Sequence, residues 1–341
     1  MRKDELAARE VGIKAIAEAL QISASTVSRA LNGVPGVNPG TRKLVEEKAK
    51  AMGYVPNLGA QQLVGKRSNL IGVYVPEFDH ENLLFLDMFS SIQKGLQSQE
   101  KDAIFYYVSF SNYDGQRLTE SVHARNLEAC ILLPAFDEHH PIMREALRIQ
   151  VPCVNFEGVV GPRCTSAQSD DREGGRIAGR RLLRSGHRVI GYVNGPAHLR
   201  ISKERYEGFK EVLAERGIEH AERLVAEGCF TAASGAEAAA KLRAANPDMT
   251  AVFCANDLMA TGIIQAMREQ GHRIPEDLSV IGYDDDLLAK FLSPPLTTIR
   301  HGKASVAPLL QELLDGRPGR LLKIAPELVE RHTVADIGDA R

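Results

Sequence analysis

No apolar run in the chain approaches the ~20 residues needed to span a bilayer, which excludes a membrane-crossing helix. The opening stretch, MRKDELAAREVG, holds no apolar segment of the kind that directs secretion. A cytoplasmic location is therefore expected. Cysteine is sparse: Cys130, Cys153, Cys164, Cys229 and Cys254 lie far apart and form no CxxC pair, which excludes a zinc ribbon. An odd number of scattered cysteines, without a secretory leader, reads as reduced thiols in a packed core.

The signatures of common enzymes are missing as well. At 65–68, GKRS has neither Ser nor Thr directly after its lysine and no glycine five residues before Gly65, so it is not a phosphate-binding loop. There is no GxSxG elbow and no HExxH. The glycines of REGGRIAGR do not fit GxGxxG. The pair His139–His140 has no ligand partner at metal spacing and reads as solvated. The run Asp284, Asp285 and Asp286 reads as hydrogen-bond acceptors at a strand end, because no second cluster supports a metal. No cofactor, metal site or catalytic residue is expected, and the chain is expected not to be an enzyme.

What is present is a soluble composition distributed unevenly. The chain has 341 residues, 44% of them hydrophobic and 25% charged, which suits two or three folded domains. Residues 1–67 carry eleven Lys or Arg against six Asp or Glu, a balance of +5, whereas the remainder carries 31 basic and 38 acidic residues, or −7. A basic head on an acidic body points the head toward a polyanion.

That head reads as three short helices. Ile13, Ile16, Ala17 and Leu20 make one helical stripe. Ser23 is an N-cap for a second helix, with Val27, Ala30 and Leu31 inward. Asn38 before Pro39 is a cap followed by a first turn, and Gly53 is a stop. Leu44, Val45, Ala49 and Met52 are expected to form the third helix's buried face. The first two helices and their short turn form a helix-turn-helix. Its second helix presents Ala24, Ser25 and Arg29 outward. Arg29 can bond guanine O6 and N7 with both arms, and Ser23, Thr26 and Ser28 offer short hydroxyls to phosphates. The competing reading is a helical hairpin with a solvated arginine.

Residues 57–67 read as a polar linker, too short to hold a helix alone. Beyond it, apolar runs appear at 70–75, 103–108, 129–133, 151–156, 189–193, 251–255 and 279–283. Helical stretches separate most of them, which implies an α/β architecture of parallel sheets. The length of this region implies two lobes, with ligand at the carboxyl ends of the strands.

TVSRALNG, the Val37–Arg42 stretch VNPGTR, GYVPN from Gly53 and AQQLVGK from Ala60 together resemble the head of the lactose/galactose repressor (LacI/GalR) family. The core continues the resemblance in SGHRVIGYVNGP, RYEGF, CANDLMATG, IPEDLSVIGYDD, SPPLTTIR and PELVERHT. It implies a helix-turn-helix head on a two-lobed, periplasmic-binding-protein-like core. The limits would be an N-terminal extension at 1–11, expected to be disordered, a head at 12–56, a hinge at 57–67 and an effector-binding and dimerisation core at 68–335. The implied protein is a dimeric repressor of operator DNA under the control of a small-molecule effector, a sugar or sugar derivative.

Residue by residue, the resemblance implies that Ser25 and Arg29 read bases, with Ala24 giving at most a methyl contact. Thr26 and Asn57 would hold phosphates, and Asn32, inside TVSRALNG, belongs to the same DNA-facing set. Ala60 and Leu63 would enter the minor groove as the hinge folds, Leu63 as a wedge. In the core, Arg205, Asn256 and Asp284 would hold the effector and Phe230 would stack on it. Ordinary core packing is the alternative for Phe230, and a surface ion pair for Arg205. Phe78, Asp79 and Phe136 are candidates from the first lobe. Two departures stand out: Gln21 occupies the turn where relatives have glycine, and Gly12 replaces the usual Thr cap. The chain ends eight residues after Thr333 without heptads, which favours a dimer over a tetramer. A sugar receptor sharing only the core is the competing class, and the missing leader and the intact head argue against it.

Overall fold

A computed structural model describes residues 11–55, 68–77, 84–109, 113–134, 136, 139–302 and 304–338. They fall into two compact units, Met1–Ser68 and Asn69–Arg341.

The first unit holds helices α1 (Ile13–Leu20), α2 (Ala24–Leu31) and α3 (Pro39–Ala51). Ser23 caps α2, its hydroxyl accepting the Thr26 N–H at 3.1 Å, and Asn38 caps α3 through the Gly40 N–H at 2.8 Å. Gly12 precedes α1 without any side-chain cap, and Gln21 ends that helix in the left-handed region at φ 54°. Ile16, Ala17, Val27, Ala30, Val45 and Ala49 are buried together. Val11, assigned to a disordered extension by sequence, instead packs partly on this core. Leu44 is a second correction, being 51% exposed. Val45, Ala49 and Met52 follow one line along α3, and Leu44 is turned about 100° away from it, beyond the reach of so small a core. Asn57, Ala60 and Leu63 lie outside the described residues, as does the rest of the expected hinge.

In the second unit the chain first builds lobe 1 from β1 (Leu70–Pro76), α4 (Leu84–Gln97), β2 (Asp102–Val108), α5 (Arg117–Arg125), β3 (Ala129–Leu132), α6 (Pro141–Ala146), β4 (Cys153–Asn155) and β5 (Cys164–Ser169). It then builds lobe 2 from α7 (Asp171–Arg184), β6 (Ile190–Asn194), α8 (Arg200–Ala214), β7 (Val225–Glu227), α9 (Ala232–Ala245), β8 (Ala251–Cys254), α10 (Asp257–Glu269), β9 (Ser279–Asp284) and β10 (Thr297–Arg300). It returns to lobe 1 for α11 (Val306–Leu314) and β11 (Leu321–Ile324), and ends in lobe 2 with β12 (Glu327–Val329). The sheet orders are β11-β5-β4-β3-β1-β2 and β12-β10-β9-β8-β6-β7. All neighbours are parallel except β10 and β12. Buried aliphatic and aromatic side chains fill both faces of each sheet.

Five strands, β5, β7, β10, β11 and β12, lie outside the apolar runs read from sequence. The run at 151–156 contributes only the three residues of β4. Three further expectations need correction. Cys229 is exposed on the loop after β7, while the other four cysteines are buried and all five are free. His140 is buried rather than solvated: its Nδ1 accepts the Ile142 N–H at 3.2 Å, capping α6, and its ring packs on Tyr113 and Phe136. Phe136 is itself a core residue at 1% exposure, so its side chain holds the lobe together instead of lining a cleft. Phe78 and Asp79 lie outside the described residues.

Candidate functional site

In lobe 2 the strand order reverses between β6 and β8. Such a switch point opens a crevice at the carboxyl ends of the strands. Arg205 reaches it from α8, the helix after β6, and Asn256 from the turn after β8. Asp284 ends β9, and Phe230 follows β7.

Arg205 is 2% exposed. Its Nε donates to Asp171 Oδ1 at 3.0 Å, and Nη1 donates to the Ala255 carbonyl, directly before Asn256. Nη1 also lies 3.6 Å from Asp284 Oδ1, and the guanidinium carbon sits 3.7 Å above the Tyr283 ring. His301 Nε2 approaches both Asp284 Oδ1, at 2.8 Å, and Arg205 Nη2, at 3.4 Å. Burial works against the Arg205 charge, but Asp171 and Asp284 outweigh it and hold the guanidinium pKa above its ordinary value. The surface ion pair considered from sequence is thus replaced by a buried network.

Glycines make that network possible. A Cβ on Gly175 would lie 2.0 Å from the Arg205 carbonyl oxygen, and one on Gly208 would lie 1.8 Å from that of Arg172. Only bare backbone lets α7 and α8 approach this closely, and the approach sets Asp171, the first residue of α7, beside Arg205. The glycines of REGGRIAGR, which fit no nucleotide motif, serve this contact.

Asn256 caps α10, Oδ1 accepting the Met259 N–H at 2.9 Å, and its Nδ2 donates to the Phe230 carbonyl at 3.1 Å. Phe230 is half-buried and its ring lies over Gly195, where a Cβ would come within 2.1 Å of Cζ. Phe230, Asp284 and Asp285 all have positive φ, at 63°, 111° and 54°. Left-handed backbone at non-glycine residues costs about 1–3 kcal/mol each and concentrates at functional sites.

The neighbouring aspartates are internally engaged. Asp257 accepts the Thr298 hydroxyl at 2.6 Å and the Asp286 N–H at 2.8 Å. Burial, and then the charge of Asp284, push its carboxyl well above the usual range. Asp285 accepts from Arg300 at 2.7 Å and Arg331 at 2.5 Å. Sequence reasoning missed Asp171, Tyr283, His301 and Arg200. The available signal for Asp171 was its place in a DD pair opening a helix. His301 is bonded across 96 residues of chain and gave none.

In the head, Ser23, Ala24, Ser25 and Arg29 are exposed on α2, and Thr26, Ser28 and Asn32 are half-buried. The Ser23 hydroxyl lies 2.8 Å from that of Ser25 and 2.7 Å from that of Thr26, and the Asn32 amide donates to Ser28 at 3.4 Å. The N-terminal end of α2 is therefore a polar, cationic face without large apolar side chains. Among the described residues, no helix is long and apolar enough to cross a membrane.

A helix-turn-helix head carried on a core of two parallel-sheet lobes defines a DNA-binding regulator. Residues 12–57 match the lacI family of bacterial regulatory proteins, and residues 179–334 match a periplasmic binding protein-like domain. The chain is 32% identical to the HTH-type transcriptional regulator CelR of Thermobifida fusca over 85% of its own length and 87% of the relative's. Among solved structures, it resembles the lac repressor dimer bound to operator and the anti-inducer ONPF with a TM-score of 0.81 and 27% identity, covering 96% of this chain and 100% of that one. It resembles the complex of transcriptional regulator CelR with cellobiose with a TM-score of 0.70 and 28% identity, covering 95% and 99%. The chain belongs to the LacI family of bacterial regulatory proteins. It is a DNA-binding transcriptional regulator and, like the relatives it matches, not an enzyme.

Proposed function

We propose that the chain is a homodimeric repressor whose hold on a palindromic operator is set by a small polyhydroxylated effector bound in its core. The observation that carries this reading is the convergence of Arg205, Asn256, Asp284 and Phe230 at the carboxyl ends of adjacent lobe 2 strands. Arg donates a fork, Asn both donates and accepts, and Asp accepts hydroxyl protons. The sugar reading is supported by the solved complex of CelR with cellobiose.

The head, 12–56, binds DNA through Ser23, Ala24, Ser25, Thr26, Ser28, Arg29 and Asn32. Asn57, Ala60 and Leu63 extend the contact through the hinge at 57–67, and the core spans 68–335. Effector binding shifts the population of core conformations and thereby the pairing of hinges. By linkage, operator binding alters effector affinity by the same factor. The partners are operator DNA, the effector and a second copy of the chain. A cytoplasmic location fits all three.

The test is a thermal-stability screen of the full chain with sugars, sugar derivatives and nucleobases. A ligand at 100 times its Kd adds about 2.7 kcal/mol. Arg205→Ala and Asp284→Asn are expected to abolish the effector response while operator binding survives. Unchanged ligand affinity in both variants, by calorimetry, would remove these residues from the site.

A further inference from the structure

Charge pairing around Arg205 restricts the chemistry of what the crevice can hold. Its two guanidiniums, Arg205 and Arg200, face three carboxylates. Arg205 lies between Asp171 at 3.0 Å and Asp284 at 3.6 Å, and Arg200 between Asp171 at 3.4 Å and Glu157 at 3.7 Å. All three carboxylate residues are less than 9% exposed. A phosphate or carboxylate on the ligand could take a guanidinium only by stripping it from a buried carboxylate, which would leave that charge uncompensated.

The other anion-holding devices nearby are already answered. The start of α7 carries Asp170, which accepts the Glu173 N–H at 3.1 Å, together with Asp171 and Glu173 themselves. The start of α10 is closed by the Asn256 amide oxygen and carries Asp257 in its first turn. Helix N-termini favour anions, and here side-chain carboxylates supply them.

Among the described residues, two buried polar atoms on α8 remain without a hydrogen-bond partner: Arg200 Nε and Ser202 Oγ. Ser202 is fully buried, and a Cβ on Gly195 would touch both its hydroxyl, at 2.7 Å, and the Phe230 ring. A neutral hydroxyl thus stands beside an aromatic ring, one helical turn before Arg205. An orphaned buried hydroxyl costs free energy that a ligand hydroxyl recovers.

We propose that the effector is an uncharged carbohydrate without phosphate or carboxylate, whose hydroxyls are met by Ser202 Oγ and Arg200 Nε beside the Phe230 ring. This rests on the effector reading above and adds the ligand's charge class and two further contacts. The experiment uses the full chain and matched sets of sugars: glucose, glucose 6-phosphate and glucuronate; cellobiose and its aldonic acid; ribose and ribose 5-phosphate. Binding is followed by calorimetry and by operator release. A neutral member should bind, and its anionic twin should be at least ~100-fold weaker, the order expected for a unit charge about 5 Å from an uncompensated carboxylate. Ser202→Ala should weaken the neutral ligand roughly 2- to 12-fold, the worth of one hydrogen bond. It should leave the ligand-free melting temperature unchanged or raised, because the fold gives that hydroxyl no partner.

An anionic twin that binds as tightly as the neutral sugar overturns the charge assignment and leaves the effector reading standing. A ligand-free Ser202→Ala protein that melts lower overturns the Ser202 assignment, since the hydroxyl then serves the fold. If no carbohydrate of either charge binds or releases operator, the effector reading itself fails, and this inference with it.

Discussion

Replacing Gly208 by alanine tests whether close helix packing is what assembles the crevice. The added Cβ would stand 1.8 Å from the Arg172 carbonyl oxygen. Carbon–oxygen approaches settle near ~3.3 Å, so α7 and α8 must part locally by about 1.5 Å. Overpacking of this kind costs roughly 1–3 kcal/mol. The clash is with backbone rather than a flexible side chain, which sets the expectation at the upper end, near ~3 kcal/mol. In a domain of this size that lowers the melting temperature by about 5–10 °C. The displacement acts where Asp171 meets Arg205, so effector affinity should fall further than stability alone requires. The measurements are differential scanning calorimetry and ligand titration of Gly208→Ala, with Gly12→Ala, which meets nothing within 4 Å, as the control. Operator binding should persist, because the head is a separate compact unit. If Gly208→Ala melts within a degree of wild type and still answers the effector, α7 and α8 do not approach as described, and the placement of Asp171 by glycine packing is wrong.

Arg29→Ala should weaken specific operator binding by about 1–3 kcal/mol for each base that the arginine reads; an equal weakening on random DNA in a gel-shift titration would show that Arg29 touches only phosphate. Gln21→Gly should stabilise the head by about 1 kcal/mol, since φ 54° costs a side-chain-bearing residue about that much, and an unchanged head transition in hydrogen exchange would refute it. Leu63→Ser should reduce operator bending in an energy-transfer assay while salt-dependent non-specific binding remains; full bending would dismiss the wedge. Burial lowers the pKa of His187 and of His220 below the usual imidazole value. The unfolded chain therefore binds more protons than the folded one as pH falls through about 6.5, and stability present above that pH is lost below it. Thermal melts from pH 7.5 to 5.5 should show this decline, and His220→Gln should make it shallower.

The helices and the central strands were legible because their apolar spacing is regular: Ile71, Val73, Val252 and Ile281 sit in runs that admit only a buried strand. The edge strands were not. β5 reads CTSAQS and β7 reads VAE, too small, polar or short to stand out, and they exist because neighbours supply their ladders. The caps at Ser23 and Asn38 were readable because capping is local. The burial of His140 was not, because it depends on Tyr113 and Phe136 closing around the ring. The same division runs through the crevice. Arg205, Asn256 and Asp284 sit within recognisable stretches of sequence. Asp171 and His301 reach Arg205 across 34 and 96 residues, and only the fold brings them there.

The interlaced path of the chain has a consequence for synthesis. Lobe 1 is begun first and finished last: α11 and β11 arrive only after nearly all of lobe 2 has been made. Until then β5 is a bare edge, and the apolar side chains that Leu309, Leu310 and Leu313 cover are open to water. On the ribosome, lobe 2 can close from an almost continuous segment while its elder neighbour waits with an unpaired strand, the condition that invites chaperones or aggregation. A stop codon near residue 300 would therefore not trim a tail. It would leave the first-made half of the core permanently unfinished.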